Sequence, residues 1–122
     1  MAKNISEDEK RIMKIFNVTD YDKTPNRTNE SMIIYFDFLN KNLGFPITGD
    51  HTSEMGHFKS EIISIKLTSL SSIYDDFYGI LVEGRSGRKK VVVPLVDFDP
   101  DEHVTDENLR FIDDYKTWFC NW

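Results

Sequence analysis

The chain has 122 residues, of which 21 are acidic and 15 basic, giving a net charge of −6 at pH 7, and it contains one cysteine, Cys120. This length predicts a single domain over residues 1–122 that folds without disulfides or metal, and the acidic balance argues against non-specific binding to nucleic acid or anionic lipid. The lone cysteine excludes an intrachain disulfide and a cysteine-based zinc site, and it predicts a reducing, cytoplasmic location.

A short amphipathic helix is predicted near the start of the chain. Ser6 and Glu9 have the spacing of a capping box, and the apolar residues that follow place the helix over residues 7–16. Residues 17–27 are rich in turn formers and are a predicted connector. The first residues contain no apolar signal segment, and no later run approaches 18 apolar residues. We therefore expect neither classical secretion nor a membrane span.

A second helix is predicted over residues 28–42. Its apolar residues recur with helical spacing, and Gly44 stands where a helix commonly ends. An extended segment should begin at Phe45-Pro46-Ile47, because the residue before a proline is driven out of helical geometry. The connector and the first helix thus precede a compact region that begins near residue 28.

The middle of the chain changes to the two-residue repeat of half-buried strands. Strands are predicted at residues 60–69, 78–83 and 89–96, and residues 84–88 form the hairpin between the second and third. Such consecutive strands form an antiparallel meander.

A last helix is predicted over residues 106–119, capped by Thr105. The order of elements predicts an α+β fold, consisting of a small antiparallel sheet or partial SH3-like barrel with N-terminal and C-terminal helices.

Three carboxylates alternate directly after the third strand, at Asp97, Asp99 and Asp101. Ca²⁺ takes six to eight oxygen ligands, and alternate residues of an irregular loop can turn their carboxylates toward one ion. An EF-hand is not predicted, because Glu102 replaces the turn glycine and Asn108 the bidentate glutamate. The alternative is a solvated acidic loop that holds no ion.

The meander predicts that a second acidic turn, at Asp75 and Asp76, lies at the same end of the sheet. Between residues 97 and 114 there are eight acids and one basic residue, so a shared cation would relieve their repulsion. Asp114 is preferred to its neighbour Asp113 because it lies on the helical face of Trp118. The predicted Ca²⁺ ligands are Asp97, Asp99, Asp101, Asp75, Asp76 and Asp114.

Other functions have weaker support in the sequence. No nucleophile, base and orienting group can be assembled, and the three histidines have no metal-binding spacing, so we do not expect an enzyme. The alternative to ion binding is a non-enzymatic protein-interaction module with an acidic surface. Its contact surface would use aromatic residues, of which we expect Phe77 and Trp118 to lie in the core. The aromatic candidates are Tyr74, Phe77, Tyr78, Trp118 and Trp122.

Three separated motifs resemble a known family. The stretch Tyr35–Leu39 followed by Leu43–Ile47 is similar to a helix end of the small bacterial calcium-binding proteins known from cyanobacteria. The pieces Tyr78-Gly79 and Val93-Pro94-Leu95 resemble landmarks that flank the hairpin in that family. The segment Asp113–Phe119 is similar to its acidic, tryptophan-bearing C-terminal motif.

The resemblance covers about residues 30–120. It implies a non-enzymatic domain over residues 28–122 that binds Ca²⁺ as a buffer or sensor, on a β scaffold unrelated to EF-hands. Acids are frequent in that family where this chain has Asn40 and Lys41, and a lysine offers no oxygen ligand. The resemblance therefore leaves the acidic turns at Asp75 and Asp97 as the expected ion site.

Overall fold

The computed structural model describes residues 4–54, 60–75 and 77–122. In these residues the helices are α1 (Glu7–Ile15), α2 (Asn29–Asn42) and α3 (Asp106–Asn121), and the strands are β1 (Ile47–Glu54), β2 (Ser60–Ile73), β3 (Ile80–Ser86), β4 (Lys89–Pro94) and β5 (Phe98–Pro100). Short 3₁₀ turns lie at Tyr21–Lys23 and Leu95–Asp97. Within the described ranges, every helix is too short or too polar to cross a bilayer.

The three predicted helices are present, and local capping explains where they begin. α1 starts with the predicted capping box, in which the Ser6 hydroxyl and the Glu9 carboxylate accept each other's backbone N–H. α3 starts where the Thr105 hydroxyl accepts the Asn108 backbone N–H at 3.2 Å. Each bond satisfies a backbone N–H that has no partner in the first turn of a helix.

The strands form one antiparallel sheet in the order β4-β3-β2-β1-β5. A flat sheet of five strands would separate its outer strands by about 19 Å, at about 4.8 Å per gap. The chain crosses from Pro94 at the end of β4 to Phe98 at the start of β5 in four steps, which span at most about 14 Å. The sheet must therefore curl, which agrees with the predicted α+β fold and partial barrel.

The strand boundaries differ from the prediction in places where the repeat is interrupted. β2 continues to Ile73 rather than ending at residue 69, because register shifts between Leu67 and Ser69 and between Leu70 and Ser72 change which residues face inward. Such bulges break a simple two-residue repeat. β3 begins two residues later than predicted. β4 ends at Pro94, and residues 95–96 belong to a 3₁₀ turn instead.

Helices α1, α2 and α3 pack around a cluster of aromatic rings. Tyr35 of α2 is fully buried, with its ring centroid 5.0 Å from that of Trp118 and 5.2 Å from that of Tyr115 on α3. The Trp118 indole N–H donates to the Pro25 carbonyl at 3.1 Å, which ties the connector to the core. The prediction that Trp118 lies in the core is confirmed.

Candidate metal site

The acidic run that the sequence predicts as an irregular loop has regular structure. Asp97 ends the 3₁₀ turn Leu95–Asp97, and the next three residues form β5. The loop prediction is therefore wrong, because Phe98 has a place in the core and is fully buried. Asp97 and Asp99 on either side of it are exposed. The alternating sequence thus buries the Phe98 side chain and leaves the carboxylates on either side of it exposed.

Pairing of β5 with β1 adds a carboxylate that the sequence analysis missed. Asp99 lies opposite Asp50 in the antiparallel register. The strands approach closely because β1 has a glycine, Gly49, at which a Cβ atom would lie 2.2 Å from the Asp99 carbonyl oxygen. Like charges directly opposite each other destabilise a sheet. A cation near this pair would therefore be stabilising.

A lysine from α3 supplies a positive charge to β5. The ammonium group of Lys116 donates to the Phe98 carbonyl at 2.5 Å and lies 3.4 Å from Oδ1 of Asp99. A backbone carbonyl and a carboxylate are the types of oxygen that Ca²⁺ uses as ligands. Part of the predicted ion site thus already holds a cationic group of the protein.

Asp101 is fixed by local hydrogen bonds at the end of β5. Its backbone N–H donates to the Thr48 carbonyl at 3.1 Å, and its side chain accepts the His103 backbone N–H at 2.9 Å. A hydrogen bond with the Thr48 side chain and the bond from His103 hold the pKa of Asp101 below its ordinary value. These hydrogen bonds favour the charged form of the Asp101 carboxylate, which is the form that can bind a cation.

The second predicted acidic turn, which contains Asp75, shares a cavity with Asp97 through its aromatic residues. One oxygen of Asp75 accepts the backbone N–H groups of Phe77 at 2.9 Å and Tyr78 at 2.6 Å, so this carboxylate closes the turn. Phe77, Tyr78 and Asp97 line a cavity of about 390 Å³, together with Arg27. Asp76, another predicted ligand, lies outside the described residues.

Asp114 is buried in an ion pair rather than presented to solvent. Its two oxygens accept from Arg11 of α1, at 2.7 Å from Nε and 2.9 Å from Nη2. The Asp114 side chain is 5% exposed and that of Arg11 is 40% exposed. The interpretation of Asp114 as an ion ligand neglected this partner, which lies 103 residues away in the chain.

The expected burial of Phe77 is wrong. Its side chain is 71% exposed and stacks edge-on against Tyr78, with ring centroids 4.9 Å apart. Tyr74 is also exposed, and its ring centroid lies 5.5 Å from that of Tyr78. The core prediction failed because Phe77 lies in the turn that Asp75 closes, where its ring is left exposed. The three rings form an exposed aromatic surface, defined by Tyr74, Phe77 and Tyr78.

The donor chemistry of the acidic segment, residues 97–101, fits a hard cation. It offers exposed carboxylates and the Phe98 carbonyl, which are oxygen ligands of the kind that Ca²⁺ uses. The ammonium group of Lys116 occupies the position that such an ion would take beside the Phe98 carbonyl and Asp99. In the described parts of the chain, however, no three carboxylate, histidine or cysteine side chains converge closely enough to hold a metal. Binding at this segment therefore requires its side chains to reorient.

Comparison with known proteins gives one family and two similar structures. A family model described as calcium binding matches residues 6–119. A crystal structure of Anabaena CcbP superposes with a TM-score of 0.71 and 16% identity, over 96% of this chain and 93% of that one. A calcium binding protein in its calcium-binding form superposes with a TM-score of 0.66 and 19% identity, over 98% and 96% of the two chains. A comparison with curated proteins gives no match.

Proposed function

The chain belongs to this calcium-binding family, and from that membership we propose that it binds Ca²⁺ at the acidic segment, residues 97–101, as a buffer or sensor without catalytic activity. Calcium binding describes the family as a whole, and the acidic segment is the proposed site in this chain. The proposed ligands are Asp97, Asp99 and Asp101, with Asp75 and Asp76 proposed as further ligands or as supporting charge. Backbone carbonyls and water would complete the six to eight oxygens that Ca²⁺ takes.

The observation that carries this assignment is the position of Lys116. Its ammonium group touches both a backbone carbonyl and a carboxylate of the segment. The carbonyl of Phe98 and the side chain of Asp99 therefore already present oxygens to one cation. Asp50, opposite Asp99, adds a further carboxylate to the same region. We do not include Asp114 among the ligands, since both of its oxygens are engaged by Arg11.

The roles of the buried polar groups support a non-enzymatic protein. The Tyr115 hydroxyl accepts the Ile80 backbone N–H at 2.9 Å, and burial raises the pKa of this hydroxyl and of that of Tyr35. Asp114 is held by Arg11. The Tyr115 hydroxyl and the Asp114 carboxylate hold secondary-structure elements together, and neither is paired with an accessible nucleophile. We propose a cytoplasmic location, with which the free and exposed Cys120 agrees.

A sensor also needs a protein partner, and we propose that it contacts the exposed aromatic surface. Large exposed aromatic residues are common at protein interfaces. The net charge of −6 favours a partner with basic residues. Partner binding would then weaken as salt is added, because exposed charges are screened over about 8 to 10 Å.

Calorimetric titration of chelator-stripped variants tests the assignment of the site. We expect Asp97→Asn and Asp99→Asn to weaken Ca²⁺ binding by at least about tenfold each, since each removes a charged ligand. The matched control is Asp37→Asn, which makes the same change at an exposed position of α2. Equal affinities for all three variants and the wild type would place the site elsewhere.

A further inference from the structure

We propose that the ammonium group of Lys116 is a built-in competitor of Ca²⁺ at the acidic segment and is displaced when the ion binds. This inference rests on the proposed function and concerns how the same site is regulated. It identifies Lys116 as the residue that limits calcium affinity. It also links the ion to α3, the helix that carries Trp118.

The strand pairing explains why the Phe98 carbonyl is open to a cation. The Asp101 N–H donates to the Thr48 carbonyl, so this pair is a hydrogen-bonded pair of the β1–β5 ladder. Hydrogen-bonded and non-hydrogen-bonded pairs alternate in antiparallel sheets. Phe98, paired with His51, therefore directs its carbonyl away from β1. β5 is the last strand of the order, so this carbonyl points off the edge of the sheet.

The Lys116 side chain lies at that edge of the sheet and is restricted in its conformation. Its side chain is 24% exposed, whereas that of Asp99 is 75% exposed. Fixing a lysine side chain costs conformational entropy, so the position must be held by the Phe98 carbonyl and the Asp99 carboxylate. The lysine charge beside Asp99 offsets part of the repulsion between Asp99 and Asp50, the residue opposite it. Removal of the lysine leaves their charge uncompensated.

Displacement follows because Ca²⁺ and the ammonium group need the same oxygens. Ca²⁺ brings two charges and coordinates carbonyl and carboxylate oxygens directly. While the Lys116 ammonium contacts the Phe98 carbonyl and Oδ1 of Asp99, the ion must displace it to coordinate those two atoms. The apparent dissociation constant then rises in inverse proportion to the fraction of molecules in which Lys116 has left these oxygens.

Calorimetric Ca²⁺ titrations of four chelator-stripped proteins test this competition. Lys116→Gln should bind about tenfold more tightly than wild type, a factor that matches the loss of one charge-assisted hydrogen bond. Lys116→Arg retains a cation and should stay close to wild type. Lys41→Gln is the matched control, because it removes the same charge from an exposed position of α2.

The outcomes separate this inference from the proposed function. If wild type binds Ca²⁺ and Lys116→Gln is no tighter than Lys41→Gln, the competition is wrong while calcium binding stands. If Lys116→Gln only loses thermal stability, the lysine is a structural link between α3 and β5. If neither the wild type nor any variant binds Ca²⁺, the proposed function itself is wrong.

A second measurement uses the wild-type protein alone, so it does not depend on how the variants fold. The ammonium signals of the lysines can be followed by nuclear magnetic resonance during a Ca²⁺ titration. We expect the signal of Lys116 to move from a hydrogen-bonded to a solvent-like position at saturation, and that of Lys41 to stay unchanged. A Lys116 signal that remains unchanged at saturation would overturn the displacement.

Discussion

Arg11 and Asp114 join the first helix to the last through two hydrogen bonds, of 2.7 and 2.9 Å, across 103 residues of sequence. The carboxylate is buried and the guanidinium is partly exposed. Asp114 also contributes to raising the pKa of Arg11, chiefly through the hydrogen bond that it accepts. This ion pair holds α1 against α3. It also gives one carboxylate of the acidic C-terminal region a charged partner.

The ion pair should contribute to folding stability and not to calcium binding. Arg11→Met should lower the free energy of unfolding by about 1.5–3 kcal/mol, since it leaves a buried carboxylate without its charged donors. Lys10→Met is the control, because its pair with Glu7 is exposed and worth less than about 1 kcal/mol. Urea unfolding measures both. A change in calcium affinity in Arg11→Met above that in Lys10→Met would return Asp114 to the ion site.

Gly79 should be intolerant of any side chain. Its φ is +72°, and an added Cβ would lie 2.4 Å from the Tyr115 hydroxyl oxygen and 2.5 Å from the Phe119 ring. Gly79→Ala should therefore lower the free energy of unfolding by about 2–4 kcal/mol, from left-handed backbone strain and overpacking together. In the control, Gly87→Ala, φ is +62° but the added Cβ has open space. The free energy of unfolding of that variant should fall by only about 1–2 kcal/mol, which is the cost of the left-handed backbone conformation alone. Equal losses would show that packing at Gly79 is unimportant.

The low pKa of Asp101 makes its contribution to stability depend on pH with a defined sign. Hydrogen bonds with the Thr48 side chain and from the His103 N–H stabilise the charged carboxylate in the folded state. The contribution is present above the ordinary pKa of 3.8 and is lost as pH falls through the lower folded value. Carboxyl resonances titrated by nuclear magnetic resonance measure that pKa. Thr48→Val should raise it toward the ordinary value, and an unchanged pKa in this variant would exclude the Thr48 side chain as a cause.

Two phenylalanines, Phe98 in the acidic segment and Phe77 in the turn closed by Asp75, should differ sharply in their effect on stability. Phe98→Ala removes a fully buried ring and should lower the free energy of unfolding by about 3–5 kcal/mol. Phe77→Ala removes a ring that is 71% exposed, and the loss should stay below about 1 kcal/mol. Thermal and urea unfolding compare the same chemical change at both positions. A large loss in Phe77→Ala would mean that the exposed aromatic surface is part of the core.

The helices could be predicted from the sequence because their periodicity and their caps agree. Ser6 and Thr105 lie at helix starts, and the apolar positions of all three helices repeat over several turns. The meander of β2, β3 and β4 follows from the two-residue repeat. The extended segment predicted to begin at Phe45-Pro46-Ile47 leads into β1, but the extent of this strand was not predicted, because one of its buried positions is Gly49 rather than an apolar side chain. β5 was missed because it has three residues and one is Pro100.

The candidate site could be predicted only in part, for a similar reason. The alternating carboxylates are visible in the sequence and remain the proposed ligands. Their partners depend on long-range pairing, which places Asp50 opposite Asp99, Lys116 on the Phe98 carbonyl and Arg11 on Asp114. None of these contacts is encoded in local spacing. The charge count of residues 97–114 therefore overstated the unpaired acidity of the region.

A crystal structure of the protein grown with Ca²⁺, with the ion located by its anomalous scattering, tests the central assignment most directly. We expect an ion with carboxylate oxygens of Asp97, Asp99 and Asp101 at about 2.3–2.6 Å. We also expect the Lys116 ammonium to have left the Phe98 carbonyl. An ion bound away from residues 97–101, with Lys116 still in place, would contradict the account.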